Sequence, residues 1–193
     1  MLDADAQDLV DIEAVLSGDA EIFERLVRRH GEAVQKQMRN FTRDPLQAEE
    51  LGQDVFVEAY LSLANFRGEA PFRHWLARIA TLIGYKFWKN RDRAKRNVPL
   101  SEIGEPAEAA ETETEKNPEE AARILFDLLA TLPDDDRLAM TLMYLERLSQ
   151  DEIAGRMGWT RVTVAVRLYR ARRRLKKLGE TEPWKGRLAW ILS

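Results

Sequence analysis

The chain has 193 residues, 45% hydrophobic and 33% charged, which is a globular composition with room for one large domain or two small ones. It has no cysteine and only two histidines, His30 and His74, which excludes disulfides and cysteine-built zinc sites and leaves no basis for a histidine-built one, so no metal or cofactor is expected. No apolar run is long enough to span a membrane, and the acidic N-terminus "MLDADAQDLVDIEAVL" lacks the pattern of a secretory signal.

The net charge of −3 conceals an asymmetry. Residues 1–96 carry 15 Lys/Arg against 16 Asp/Glu, residues 97–120 carry 1 against 8, residues 121–178 carry 12 against 7, and residues 179–193 carry 2 against 2. A basic C-terminal segment is thus joined to a near-neutral N-terminal one through a strongly acidic stretch.

Nearly every periodic segment reads as helix. Asp8 to Leu16 predicts a short first helix, stopped by "SGD", with Asp19 as the N-cap of the next. Phe23, Leu26, Val27, Val34, Met38 and Phe41 fall on one face of that second helix, with His30 at the edge of the core. Asp44 caps a third helix with Pro45 in its first turn, and Leu51, Val55, Ala59 and Leu63 form its inner stripe. After "RGEAP" a fourth helix opens at Pro71, with Phe72, Trp75, Leu76, Ile79 and Ile83 inward, and runs into the basic "KFWKNRDRAKR".

Residues 97–120 hold acids and prolines with few large apolar groups, and read as a flexible linker. Beyond it, Ile124, Leu125, Leu128, Leu129 and Leu132 make an apolar face, and "LPDD" restarts a helix with acids in its first turn. "SQDE" is a capping box, with Ser149 at the N-cap and Glu152 three residues on. The short helix that follows ends at Gly158, and Thr160 caps a long, very basic final helix.

Two helices joined by a tight glycine turn, the second basic, describe a helix-turn-helix. The final helix has an inner face of Val164, Leu168, Ala171 and Leu175. Val162, Val166, Tyr169, Arg173 and Lys176 point the opposite way, flanked by Arg170 and Lys177. Charge alone would also fit a solvated cationic helix.

Two further clusters stand out. "FRGEAPFRHWLARIATLIGYKFWKNRDRAKR" interleaves aromatics with cations, the pattern of single-strand binding, although Phe72 and Trp75 also read as core. "AEELGQDVFVEAY" gives an acidic outer face from Glu49, Glu50, Gln53, Asp54 and Glu58, whose plain reading is a solvated surface.

In this order "AEELGQDVFVEAY", "FRGEAPFRHWLARIA" and "LPDDDRLAMTLMYLERLSQDEIAGRMGWTRVTVAVRLYRARRRL" resemble the extracytoplasmic-function group of bacterial sigma-70 factors, over about residues 8–96 and 121–178. The resemblance implies an all-α chain of two small helical domains. Region 2 would occupy residues 1–96, the flexible acidic linker 97–120, the region 4 helix-turn-helix 121–178, and a tail 179–193.

It further implies an alternative sigma factor, itself no enzyme and cytoplasmic, that binds core RNA polymerase at the beta-prime clamp helices and beta flap and recognises the −10 and −35 elements of promoter DNA. The clamp contact would use Glu49, Glu50, Gln53 and Asp54. Contacts to the −10 element would come from Asn65, Phe66, Arg67, Arg73, Arg78, Lys86, Trp88, Lys89 and Arg91. Contacts to the −35 element would come from Thr160, Arg161, Val162, Thr163, Val166, Arg167, Arg170 and Arg173. An anti-sigma factor is the further partner implied.

Three positions depart from the family pattern. Leu82 stands where the family usually has an asparagine, at the edge of the apolar stripe where packing would account for it. Ala165 and Val166 replace a cation and a hydroxyl at the front of the final helix. These departures keep open a sigma-like decoy that sequesters an anti-sigma factor, and the helix-turn-helix taken alone would fit a plain regulator. The tail, with Trp184, Leu188, Trp190, Ile191 and Leu192, would pack on region 4 or bind a partner.

Overall fold

The computed structural model describes residues 4–97, 118–181 and 184–185, and among these every regular element is helical. The chain divides into two compact units, Met1–Lys89 and Asn90–Ser193. The division falls inside a continuous helix.

The first unit begins with α1, Ala4–Leu16. Gly18, at φ +110°, then reverses the chain in a region that favours glycine. Asp19 is not the predicted cap, because its side chain makes no capping bond. A 3-10 turn, Ala20–Ile22, intervenes, and α2, Phe23–Met38, starts from it with Ile22 already helical. At α3, Pro45–Ser62, the prediction holds: the Asp44 carboxylate accepts from the Leu46 and Gln47 amides at 3.0 and 3.4 Å, with Pro45 in the first turn. A second 3-10 turn, Leu63–Asn65, leads to α4, Phe72–Asn97.

The core of this unit is Leu26, Val34, Met38, Phe41, Leu51, Val55, Ala59, Leu63, Phe72, Leu76 and Trp88, all buried. Val27 and Ile83, expected inside, are only half-buried. A buried polar link ties α2 to α4, where the Gln37 amide donates to the Ala77 carbonyl at 3.1 Å and the Thr81 hydroxyl at 3.0 Å. Side chains approach the helix backbone closely at two glycines. A methyl at Gly84 would lie 2.4 Å from the Phe41 ring, and one at Gly52 would lie 2.1 Å from the Gln35 amide nitrogen.

The second unit contains α5, Pro118–Ala130; α6, Asp134–Tyr144; α7, Gln150–Met157; and α8, Arg161–Gly179. Ile124, Leu129, Leu132, Leu138, Leu142, Ile153, Val164, Leu168 and Ala171 form its core. Met140, Leu145 and Leu175 pack against the Leu129, Leu132 and Ala171 part of it. Leu125 departs from its expected place and is 38% exposed, since it lies a hundred degrees of helix from Ile124. Helix occupies both ends of the predicted linker, Asn97 in α4 and residues 118–120 in α5. The rest of that linker, and Leu188, Trp190, Ile191 and Leu192 of the tail, lie outside the described residues.

Gly84→Ala is expected to lower the stability of the first unit by about 1–3 kcal/mol, since a buried aromatic ring cannot swing aside. Gly52→Ala meets the end of a flexible glutamine, and its helix-propensity gain of about 1 kcal/mol offsets most of the clash. Urea denaturation of the two variants checks the ranking; equal midpoints would contradict it.

Candidate nucleic-acid interface

The front of α8 is set by caps on two successive helices. Ser149 and Glu152 close the capping box, the Ser149 amide donating to the Glu152 carboxylate at 2.8 Å and the Ser149 hydroxyl accepting from the Glu152 amide at 3.3 Å. Gly158, at φ +68°, ends α7 in the left-handed region. Two residues later the Thr160 hydroxyl accepts from the Thr163 amide at 3.1 Å and lies 2.8 Å from the Thr163 hydroxyl. Both threonine hydroxyls are therefore committed to the cap.

The rotation of α8 follows from Val164, Leu168 and Ala171, which are fully buried. The opposite side presents Val162 at 72%, Val166 at 40% and Tyr169 at 64% exposure, with Arg170, Arg173, Lys176 and Lys177 also exposed. Arg161 is exposed and only loosely paired with Asp151 at 3.6 Å.

Arg167 corrects the sequence reading. Its guanidinium is bound to Asp135 at 2.6 Å and lies 4.4 Å over the Trp159 ring, leaving the side chain 23% exposed. It ties α8 to the start of α6 instead of reaching outward. Arg172 is similarly engaged, donating to the Tyr144 hydroxyl at 2.9 and 2.7 Å.

On α4, Arg78, Leu82, Lys86, Lys89 and Arg93 recur at helical spacing and are all exposed. Leu82 does not pack into the core as expected; it is 46% exposed in the middle of this cationic stripe. Lys89 lies 4.9 Å over the Tyr85 ring. Arg91 is half-buried.

Trp88 is a second correction. It is 1% exposed, donates its indole N–H to the Phe41 carbonyl at 2.7 Å, and packs at a tilt against the Phe41 ring, 4.7 Å between centroids. A ring so placed has no face to offer a base. The interleaving of aromatics with cations in the sequence could not separate it from the half-buried Tyr85 and Phe87 beside it.

Asn65, Arg67 and the turn through Gly68, at φ +70°, are exposed before α4. Phe66 is half-buried, its ring 5.5 Å from both Phe72 and Trp75. Arg73 is ion-paired with Asp5 of α1.

α1 is held by charges that the sequence reading missed. Asp8 and Asp11 are buried at 1% and 2% exposure. Asp8 binds Arg29 and lies 2.9 Å from His30 Nε2, and Asp11 binds Arg29 at 2.7 Å. His30 packs edge-on to Phe72, the core-edge place foreseen for it. Burial disfavours the Arg29 cation, but its bonds to Asp11 and Asp8 outweigh that and raise its pKa above the ordinary arginine range. The available signal was the spacing of Asp8 and Asp11, one helical turn apart on α1.

On α3, Glu49, Glu50, Gln53, Asp54 and Glu58 are exposed, so the acidic face exists. It is not purely acidic. Leu46 at 71%, Val57 at 57% and Leu61 at 73% exposure share the side occupied by Glu50 and Gln53. Unpartnered leucines this exposed, framed by carboxylates, have the composition of a protein-binding surface.

Family models for sigma-70 region 2 and sigma-70 region 4 match residues 26–94 and 122–175. The chain is 32% identical over 179 residues to the ECF RNA polymerase sigma-E factor of Haemophilus influenzae, covering 86% of this chain and 94% of that one. It is 33% identical over 183 residues to the RNA polymerase sigma-H factor of Pseudomonas aeruginosa, covering 89% and 93%. A solved structure of CnrH in complex with the cytosolic domain of CnrY matches at TM-score 0.60 and 26% identity, covering 90% and 97%. Sigma factor RpoE, solved with the anti-sigma factor NepR from Bartonella quintana, shares the fold at TM-score 0.57 and 21% identity, covering 83% and 98%.

The roles of two arginines on α8 separate experimentally. Arg167→Ala is expected to destabilise the second unit by about 1–2 kcal/mol through loss of its carboxylate bond. Arg173→Ala should leave stability unchanged and reduce the salt slope of DNA binding by about 1. Thermal melts and salt titrations of both variants test this; an unchanged melt for Arg167→Ala would refute the tie.

Proposed function

This chain belongs to the extracytoplasmic-function branch of the sigma-70 family, as an alternative sigma factor, and we propose how its surfaces divide the work. The acidic and apolar face of α3 docks on the beta-prime clamp helices of core RNA polymerase. Glu49, Glu50, Gln53 and Asp54 supply charge complementarity, and Leu46, Val57 and Leu61 supply apolar area.

The Asn65–Phe72 segment and the cationic stripe of α4 hold the −10 element as it opens. Unstacking a base costs a few kcal/mol, which phosphate contacts from Arg78, Lys86 and Lys89 and contacts from the half-buried Phe66 must offset. Arg67 extends the positive surface toward that strand. Arg73 joins it only on leaving Asp5.

α8 enters the major groove of the −35 element with Thr160 at its mouth. Arg161, Arg170 and Arg173 grip the phosphates, and Val162 and Val166 face the bases. The second unit also meets the beta flap. Catalysis belongs to the polymerase, and the chain acts in the cytoplasm without an enzymatic activity of its own. An anti-sigma protein is a partner by extension from the RpoE–NepR complex.

The observation that carries this reading is the co-occurrence, in one chain and in family order, of an unpaired acidic face on α3 and a capped helix whose exposed side is cationic. The chain mixed with core polymerase is expected to start transcription from specific fragments of a genomic library. Reversing Glu50 and Asp54 to lysine should weaken core binding at least about tenfold, near 1.4 kcal/mol, without changing the thermal melt. Transcription unaffected by the double reversal would remove α3 from the interface, and no initiation on any fragment would overturn the function.

A further inference from the structure

The front of α8 is short of hydrogen-bonding groups. The Thr160 and Thr163 hydroxyls close the N-cap on each other, and Arg167 is held by Asp135 over Trp159. Position 165 is alanine and position 166 valine. What projects from the middle of the outward face is an apolar ridge, Val162, Val166 and Tyr169, at 72%, 40% and 64% exposure.

Such a ridge on an isolated helix face invites either protein or DNA. Charge decides between them here. The ridge is bordered by Arg170, Arg173, Lys176 and Lys177, all exposed, and no acid lies within α8. A surface of that sign is complementary to a polyanion. In a major groove the apolar feature available is the thymine C5 methyl, and valine has no other way to distinguish bases.

We propose that Val162 and Val166 read the upstream promoter element through thymine methyl groups, with Tyr169 extending the same contact. This rests on the assignment of α8 as the promoter-contacting helix. At 1.5 Å rise per residue the two valines stand about 6 Å apart along the axis, close to two base-pair steps of about 3.4 Å. The preferred element therefore carries thymines spaced by about two steps, on either strand. Arg170 and Arg173 fix the helix on the backbone without choosing sequence.

Deoxyuridine tests the idea, because it pairs as thymine does and lacks only the methyl. Duplexes are first recovered from a random-sequence library by holoenzyme assembled from this chain and core polymerase. The upstream element is then resynthesised with deoxyuridine for thymine, and binding of the two forms is compared. Loss of one buried methyl corresponds to about a fourfold weakening, so two sites give roughly 10- to 20-fold.

The Val162→Ala/Val166→Ala holoenzyme should lose most of that discrimination, Tyr169 keeping the remainder. Both positions are exposed, so the substitutions leave folding intact, which a thermal melt confirms. Equal binding of the thymine and uracil duplexes by the wild-type holoenzyme overturns methyl readout while leaving the promoter function standing. Undiminished discrimination by the double variant overturns the assignment to these valines. Recovery of no sequence preference at all removes the assignment of α8 itself.

Discussion

The orientation of α8 about its own axis decides what this protein can touch with it. Three residues with no exposed area, Val164, Leu168 and Ala171, anchor one side of the helix. Arg167 adds a fixed point a quarter turn away, bound to Asp135 and stacked on Trp159. A helix held along a seam and pinned at its flank cannot roll, so the outward ridge and its cations keep their register. The caps at Ser149 and Thr160 fix where the helix begins, and Gly158 lets the chain turn between them. Removing the seam would lose burial of about 1.5–3 kcal/mol per large side chain. Removing the pin would leave the seam but loosen the rotation.

The first unit solves its N-terminal packing with charge. α1 has few inward apolar residues: Ile12 is buried, while Leu9, Val10 and Leu16 remain about half exposed. Its attachment comes from Asp8 and Asp11 on Arg29 and His30, with Asp5 on Arg73. Buried carboxylates are costly unless paired, and here each is met by a cation. The consequence reaches the proposed −10 surface. Arg73 leaves that surface while Asp5 holds it, so the position of α1 bears on how much positive charge the start of α4 offers.

What the sequence revealed and what it hid follow from the range of the forces involved. Caps are local: Asp44, Ser149 with Glu152, and Thr160 act within three residues, so they were legible from spacing alone. Helical faces were legible too, which is why the stripe on α3 and the inward side of α8 were placed correctly. Most of the misses are contacts between elements. Trp88 looked like a stacking platform because it lies among cations, yet its indole N–H is taken by Phe41, distant in sequence. Arg167 looked like a groove contact, yet Asp135 claims it. Leu82 looked like a packing residue from its apolarity, but the α4 periodicity puts it beside Arg78, Lys86 and Lys89. Asp8 and Asp11 were given no role, because their one-turn spacing does not say that an arginine on the next helix will reach them.

Leu82 and the valines of α8 place the same chemistry in both units. Leu82 and Val166 stand where the family pattern has a polar group, and they and Val162 are exposed and framed by cations. The cations supply attraction that depends on salt and hardly on sequence. A bidentate hydrogen-bonded base contact discriminates by about 1–3 kcal/mol, whereas one methyl contributes about 0.8 kcal/mol. On the proposed reading, neither element by itself discriminates strongly, and selectivity must come from requiring both on one DNA. Because the two units share a chain, the second contact is intramolecular once the first is made, and modest preferences multiply. A chain built this way tolerates a weak match at one element if the other is good, and rejects DNA that offers only one.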